Sequence, residues 1–299
     1  MPVLVVGSIA LDHIKTPTAE HHQLLGGSAS YAAVAASFFG PVRLVGVIGD
    51  DFPPQHRQLF VDRKIDLAGL EVAAGQTFCW SGEYEMNMNN RRTLSVALNV
   101  FETFQPKLPE NYRETPYVLL GNIAPSLQRS VCHQIRKPKF VVADTMDLWI
   151  GMARADLLEL LKEVDMLILN DSEARQLTEE DNIIRAGRKI AGLGPRYVAV
   201  KKGEHGCLLF GRDGEFFSTG AFPLDAILRP ARMRLSSSVN WRASLSLRMS
   251  MSTFLISSTR SACAMPIQRS IVSATTNFGF RTCCRTLCCS DGAMLPSST

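Results

Sequence analysis

Two adjacent glycines precede a run of small residues in the segment Leu25-Gly26-Gly27-Ser28-Ala29-Ser30-Tyr31-Ala32-Ala33-Val34-Ala35-Ala36-Ser37-Phe38-Phe39-Gly40. Paired glycines let the backbone turn tightly and approach a group that any Cβ would strike. Ser28 or Ser30 suits the N-cap of a helix, and Gly40 suits its C′ position. A helix N-terminus of this kind can hold polar or anionic ligand groups, but a plain turn into a core helix explains the segment as well.

Apolar runs flank this segment and alternate with helical patterns. The expected strands are Val3–Ser8, the start of Val42–Phe52, Tyr117–Asn122, Phe140–Thr145, Met166–Leu169 and Tyr197–Val200. Continuous apolar runs are typical of parallel strands that are buried on both faces. The expected helices fall between them, over Pro53–Arg63, Ala155–Val164 and Ile183–Leu193. The alternation predicts an α/β fold with a doubly wound, mostly parallel sheet.

The stretch between Gln76 and Phe104 has a different pattern, in which polar and apolar residues alternate. This pattern predicts antiparallel strands around a polar turn at Asn87–Arg92. A small antiparallel insertion in a parallel sheet serves either as a lid or as a dimer contact. Cross-strand packing also explains its aromatic residues.

Polar residues follow several of the expected strands. Asp12, Asn122 and Asp144 each come near the carboxyl end of a strand, and Asn170-Asp171-Ser172-Glu173 follows another directly. In open α/β sheets, ligands bind at this edge. For Asp12, a turn cap and a ligand contact are equally good explanations.

In their order and spacing, these motifs resemble the ribokinase-like (PfkB) family of sugar and nucleoside kinases over residues 3–225. The matching pieces are Gly7-Ser8 with Asp12, the Gly26-Gly27 helix, Val47–Phe52, Asn170–Glu173 and Lys201–Gly206. The resemblance implies an ATP- and Mg²⁺-dependent transfer of phosphate to a sugar hydroxyl. It also implies a small β lid built from about residues 15–25 and 76–104.

The resemblance assigns roles to individual residues. Those that would contact the substrate are Asp12, Gly26, Gly27 and Asn122, and those at the nucleotide and Mg²⁺-phosphate region are Asn170, Glu173, Lys201, Gly203 and Gly206. Asn170 and Glu173 would act through water, so no direct metal ligand is expected. Two simpler explanations remain open: Glu173 starts a helix, and Lys201 is a solvated charge at a strand end.

The family's most diagnostic motif is absent. Asp-Thr-Gly-Ala-Gly-Asp should follow shortly after Phe222–Asp225, with glycine amides forming an anion hole and the last Asp acting as base. The segment Ala226–Ser238 contains neither aspartate nor glycine. No catalytic base is therefore assigned, and severely reduced activity is expected of this chain.

Residues 226–299 differ in composition from everything before them. They contain no Glu or Lys. After Leu228 there are nine arginines and one acid, so this segment carries a charge of +8. Because the whole chain carries +4, residues 1–228 carry −4. We interpret this tail as a frameshift product and not as part of the fold. A nucleic-acid-binding tail is less favoured, because the arginines are scattered with little aromatic interleaving. A metal site is less favoured too, because the cysteine doublets lack Cys-x-x-Cys spacing and the tail has no histidine.

The remaining expectations concern class and location. The 299 residues, 46% hydrophobic and 20% charged, are typical of a globular protein with a substantial core. Met1–Gly7 has no basic signal-peptide region, and no apolar run reaches the roughly 18–20 residues that span a bilayer. We expect a cytoplasmic sugar kinase that binds a small sugar and a nucleotide, but no nucleic acid and no membrane; a homodimer through the lid stays open. The alternatives are a nucleoside kinase and a noncatalytic sugar- or nucleotide-binding relative.

Overall fold

The computed structural model describes residues 1–86 and 91–221. In chain order, their strands and helices are β1 Val3–Val6, β2 Ala10–Thr16, β3 Ala19–Gly26, α1 Ser28–Ser37, β4 Val42–Gly49, α2 Pro54–Asp62, β5 Asp66–Ala73, β6 Cys79–Tyr84, β7 Arg91–Ala97, β8 Tyr117–Leu120, α3 Pro125–Gln134, β9 Phe140–Asp144, α4 Asp147–Met152, α5 Arg154–Leu161, β10 Met166–Asn170, α6 Asp171–Thr178, α7 Ile183–Ala191, β11 Tyr197–Lys201, β12 Cys207–Gly211 and β13 Phe216–Thr219. Short 3₁₀ helices cover Asn99–Phe101, Glu110–Tyr112 and Gly203–His205.

The larger sheet has the strand order β13-β12-β11-β10-β9-β8-β1-β4-β5. Every pairing from β11 to β5 is parallel, and the β11–β12–β13 edge is antiparallel. Chain order runs from β1 through β4 to β5 on one side and from β8 to β11 on the other. The direction therefore reverses between β1 and β8, where doubly wound sheets bind ligands. This confirms the predicted doubly wound, mostly parallel sheet.

The smaller sheet has four strands in the order β3-β2-β6-β7. The β2–β3 and β6–β7 pairs are antiparallel, and the central β2–β6 pair is parallel. β2 begins at Ala10, earlier than expected, because the Leu11 N–H already donates to the Phe78 carbonyl (2.8 Å). Of the predicted polar turn Asn87–Arg92, residues 87–90 lie outside the described residues, and the last two belong to β7.

Helix α1 follows the paired glycines as predicted, but its predicted caps are wrong. Gly27 occupies the N-cap, and Ser28 is the first helical residue. The Ser28 hydroxyl instead contacts Ser8 and Asn122, which lie just beyond the ends of β1 and β8, so it does not cap its own helix. At the other end, Phe38 closes the helix in right-handed backbone geometry, and Gly40 does not adopt a positive φ.

The core lies between the larger sheet and its helices. All four residues of β8 are buried, as the continuous apolar run predicts. Helix α1 packs on β1 and β4, whereas α7 packs on β11 and β12. None of the helices in the described part of the chain has both the length and the apolar character required to cross a membrane.

Candidate active site

A hydrogen-bonded serine network joins the strand ends at the point where the chain direction reverses. Ser28 N–H donates to Ser8 Oγ (3.2 Å), and the two hydroxyls lie 3.2 Å apart. The Asn122 backbone N–H donates to Ser28 Oγ (2.8 Å). This network fastens the N-terminus of α1 to the ends of β1 and β8. The sequence predicted only a helix cap for Ser28 and no separate role for Ser8, although each directly follows a glycine at an element boundary.

Asp12 lies inside β2, beside this network. Because it is a strand residue, the alternative that it caps a turn is wrong. Burial raises the pKa of its carboxyl from 3.8 to about 7. Among residues 1–86 and 91–221, no group donates a hydrogen bond to the Asp12 carboxyl. A half-buried carboxylate without a protein donor is suited to accept hydrogen bonds from ligand hydroxyls.

The paired glycines are required by contacts within the chain. A Cβ at Gly26 would overlap the Asp12 carboxyl group. Gly27 has φ 87° and ψ 143°, and a Cβ there would overlap the Ser8 carbonyl. The two glycines therefore let β3 and α1 pack against the chain that leads into β2. A direct role in substrate contact stays a prediction.

The Asn122 side chain, predicted to contact substrate, bridges to helix α4. Trp149 Nε1–H donates to Asn122 Oδ1 (2.7 Å), and Asn122 Nδ2 donates to Met146 Sδ (2.9 Å). One amide hydrogen and one oxygen lone pair remain beyond these two contacts. Asn122 thus positions the start of α4 and retains capacity for a ligand.

The ends of β9, β10 and β11 bring charged and polar residues together at the same edge of the sheet. Asn170 and Lys201 are partners in the β10–β11 register. Lys201 Nζ lies 3.3 Å from Asp144 Oδ1, so the lysine is paired and not merely solvated. Asp144, which carried no assigned role, is therefore part of this cluster.

Asn170 and Glu173 form a reciprocal capping box at the start of α6. The Glu173 N–H donates to Asn170 Oδ1 (2.8 Å), and the Asn170 N–H donates to Glu173 Oε2 (2.6 Å). The explanation that Glu173 starts a helix is therefore correct as a structural role. Only 6% of Glu173 is exposed, and burial raises its pKa to about 7 despite the opposing charge of Lys201.

The glycines after β11 shape a closed turn. Lys202 N–H donates to the Gly206 carbonyl (2.8 Å), and Gly206 N–H donates to the Gly203 carbonyl (3.2 Å). Gly203 and Gly206 have φ of 56° and 86°, and a Cβ at Gly206 would overlap the Thr219 carbonyl. Their predicted place beside a nucleotide is compatible with this turn, which directly follows Lys201.

The acids after β4 anchor the smaller sheet. Asp51 Oδ1 accepts hydrogen bonds from the Thr77 N–H (2.7 Å) and the Thr77 hydroxyl (2.6 Å). Thr77 Oγ1 in turn accepts from the Gly49 N–H (2.9 Å). Asp51 does not cap the helix that follows, because Pro53 is the N-cap of α2. Sequence reasoning missed this link because its partners are 26 residues apart.

No group of three or more metal-ligating His, Cys, Asp or Glu side chains occurs among residues 1–86 and 91–221. Mg²⁺ usually keeps several waters and takes one or two carboxylates together with substrate phosphates. The oxygen-rich cluster of Asp144, Asn170 and Glu173 has donors of the kind that such an ion prefers. The predicted absence of a base after Asp225 concerns a segment outside the described residues.

Comparison with known proteins gives a consistent picture. The model of the pfkB family carbohydrate kinases matches residues 3–227. A cytidine kinase from Thermococcus kodakarensis is 26% identical over 230 residues, which cover 75% of this chain and 80% of the relative. Ribokinase from Arabidopsis thaliana, solved with ribose and ATP, superposes with a TM-score of 0.60 at 21% identity (75% and 79% of the chains). Aminoimidazole riboside kinase from Salmonella enterica, solved with aminoimidazole riboside and an ATP analogue, gives 0.59 at 18% (76% and 79%).

Proposed function

This chain belongs to the pfkB family of carbohydrate kinases, and from that premise we propose that its site binds ATP and a sugar for transfer of the γ-phosphoryl group to a sugar hydroxyl. The sugar is either free or part of a nucleoside. One observation carries the proposal: the Lys201 cluster lies at the carboxyl ends of β9 to β11 in the larger sheet, and the Asp12 carboxyl, on β2 of the smaller sheet, lies against Gly26 just before α1 without a donor from the described residues.

At the acceptor end, Asp12 orients the sugar. Its ionised carboxylate offers two acceptor oxygens, which suit a pair of neighbouring hydroxyls. The serine network and the Asn122–Trp149 contact hold the surrounding backbone in place. Phosphoryl transfer depends mainly on positioning, so a rigid acceptor end contributes directly to rate.

At the donor end, Lys201 supplies positive charge near the phosphates. Asp144 holds its ammonium group, and the glycine turn over Lys201–Gly206 follows directly. Asn170 and Glu173 would hold Mg²⁺ through water, and the ion would neutralise phosphate charge when bound. The cluster is polar and hydrogen-bonded, which suits a charged nucleotide.

Binding measurements test this proposal. Isothermal titration of the full chain with ATP·Mg²⁺ and with ribose or cytidine should give saturable binding of both partners. Asp12→Asn should weaken sugar or nucleoside binding at least tenfold and leave the nucleotide affinity unchanged. Lys201→Met should do the reverse, while Lys162→Met, which removes an exposed ion pair at the C-terminal end of α5, should change neither. Failure of Asp12→Asn to weaken the acceptor would overturn the assignment.

We also propose that this chain turns over slowly or not at all, because residues 226–238 lack the expected base and anion hole. The family match ends at residue 227, next to the point at which the composition changes. General-base catalysis contributes roughly 10² to 10⁴ in rate, and loss of one anion-hole donor costs roughly 10² to 10³. A coupled ADP-release assay should therefore find turnover far below the roughly 1–100 s⁻¹ of ordinary kinases. Turnover within that range would refute the impairment.

The noncatalytic alternative predicts a different combination of results. A binding protein that kept Asp12 and the Lys201 cluster would bind sugar and nucleotide without ADP release, even when the missing motif is restored. Sequencing the coding DNA across the codons for Phe222 to Ser238 separates the two histories. An insertion or deletion of one or two bases that restores the glycine-rich motif supports a kinase by descent.

A further inference from the structure

One row of side chains crosses the smaller sheet beside Asp12. Register partners on adjacent strands point to the same face of a sheet. Asp12 pairs with Leu24 on β3 and with Trp80 on β6, and Trp80 pairs with Val96 on β7. We call these four residues the Asp12 row. Because neighbouring strands lie about 4.8 Å apart, Trp80 stands one strand away from the carboxyl.

Trp80 is fixed in place on this face. Its six-membered ring lies over Gly82, where a Cβ would overlap it. Its Nε1–H donates to Thr93 Oγ1 (3.3 Å), and the Tyr84 ring meets it edge-on with centroids 6.5 Å apart. A glycine two residues after a tryptophan, on the same face, thus clears the space that lets the indole lie along the sheet.

The two faces of the smaller sheet differ in chemistry. The opposite face carries the ion pairs of Glu83 with Lys15 and Arg92. In the Asp12 row, the single carboxyl stands between the apolar side chains of Leu24 and Trp80, and 55% of Val96 is exposed at the end of the row. A free sugar presents hydroxyls in all directions and would leave several of them against apolar groups. A nucleoside has hydroxyls on one side and a flat apolar base on the other.

Resting on the proposed function, we propose that Trp80 is the platform on which the base of a nucleoside packs while Asp12 accepts its ribose hydroxyls. Trp80 is then the residue that makes a nucleoside a better acceptor than a free sugar. Stacking of a base on an aromatic side chain is tolerant of base identity, since every base has a π-face. The row therefore selects nucleosides as a class, and contacts elsewhere select among bases.

The test compares cytidine, adenosine and ribose by isothermal titration of the full chain and its variants. The unmodified chain should bind the nucleosides at least tenfold more tightly than ribose. Trp80→Ala should weaken the binding of both nucleosides roughly tenfold or more, in keeping with the strength of base stacking. The affinity for ribose should change by no more than about twofold. Trp80→Phe, which keeps a ring, should retain most of the preference. Phe217→Ala, an exposed aromatic on β13, is the matched control and should change nothing.

The outcomes separate this inference from the proposed function. Equal affinity for ribose and nucleosides in the unmodified chain overturns the role of Trp80 alone, as does a Trp80→Ala variant that keeps the preference. If the unmodified chain binds neither nucleosides nor ribose, or if Asp12→Asn binds them as tightly as the unmodified chain, the proposed function is overturned as well. Far-ultraviolet circular dichroism checks the fold of each variant. If Trp80→Ala does not fold, Trp80→Leu against Trp80→Phe makes the same comparison between an aliphatic side chain and a ring.

Discussion

The Asp12 carboxyl is costly to keep ionised in the free protein. It is half-buried, it receives no hydrogen bond from the described residues, and its pKa is raised to about 7 by burial. A buried charge without a partner destabilises the folded state. A substrate that donates two hydroxyl hydrogens would supply the missing partners, so ligand binding and ionisation of Asp12 reinforce each other.

This arrangement predicts how stability depends on pH. Between its ordinary pKa of 3.8 and the folded value near 7, Asp12 holds more proton in the folded state than in the unfolded state. The free energy of unfolding should therefore decrease as pH rises through this window, by at most roughly 1.4 kcal/mol per pH unit for one group. Urea denaturation of Asp12→Asn at pH 4 to 7 should show a flatter slope. A flat profile in the unmodified chain would contradict the prediction.

A second prediction at this scale concerns Gly27. Its backbone conformation, φ 87° and ψ 143°, is essentially restricted to glycine, and a Cβ would also strike the Ser8 carbonyl. Gly27→Ala should lower the free energy of unfolding by roughly 1–3 kcal/mol from backbone strain alone. Gly220→Ala is the control, because a Cβ there meets nothing within 4 Å and its φ is not positive. Equal stability of the two variants by chemical denaturation would contradict this.

The sequence was sufficient to predict that a tight turn needs the two glycines, but not which groups they accommodate. The Asp12 carboxyl approaches Gly26 across a β2–β3 pairing that contains a register shift. A bulge changes which residues lie opposite each other, and local patterns carry no signal for its position. For the same reason the serine pair Ser8 and Ser28, 20 residues apart, was visible only in the fold.

At the scale of elements, two side chains at the start of α6 have a structural role, and we propose a functional role for the same pair. Asn170 and Glu173 cap the helix reciprocally, and the same pair lies beside Lys201 at the sheet edge. A capping box needs only a side-chain acceptor at the third helical position, which glutamine supplies as well as glutamate. Charge and capping can therefore be separated experimentally.

Glu173→Gln should keep the free energy of unfolding within about 0.5 kcal/mol of the unmodified chain, because the capping hydrogen bonds survive. Glu173→Ala should lower it by roughly 1 kcal/mol. If the charge serves Mg²⁺ and phosphate, both variants should weaken the Mg²⁺-dependent part of ATP binding. Thermal denaturation and titration of ATP with and without Mg²⁺ measure the two effects. An unchanged Mg²⁺ dependence in Glu173→Gln would leave Glu173 a purely structural residue.

The capping box was predictable from the sequence because its partners are three residues apart, within the reach of a local pattern. The pairing of Lys201 with Asp144 was not, since 57 residues and two parallel strand crossings separate them. Likewise, the alternating pattern after Gln76 predicted strands, but the parallel pairing of β2 with β6 needed the tertiary structure.

For the whole molecule, the two ends of the proposed site lie on different sheets, Asp12 on the smaller and Lys201 on the larger, and the expected base would fall in a segment beyond the described residues. We predict that replacing residues 226–299 by the C-terminal segment of a family member with Asp-Thr-Gly-Ala-Gly-Asp raises ATP turnover by at least about 10²-fold. The same graft with its last Asp changed to Asn should lose that gain. Turnover in the present chain equal to that of the graft would contradict the prediction. The ADP-release assay measures the turnover of the present chain, of the graft and of the graft with its last Asp changed to Asn.

The place of β1 in the larger sheet has a consequence for the order of synthesis. β1 pairs with β4 on one side and with β8 on the other, so its second partner is translated more than a hundred residues after it. At roughly 5–20 residues per second, the ribosome needs about 6 to 23 s to reach β8. Throughout that interval the apolar strand Val3–Val6 has at least one open edge in the nascent chain. Chaperone capture of the growing polypeptide should accordingly fall once residue 120 has left the exit tunnel.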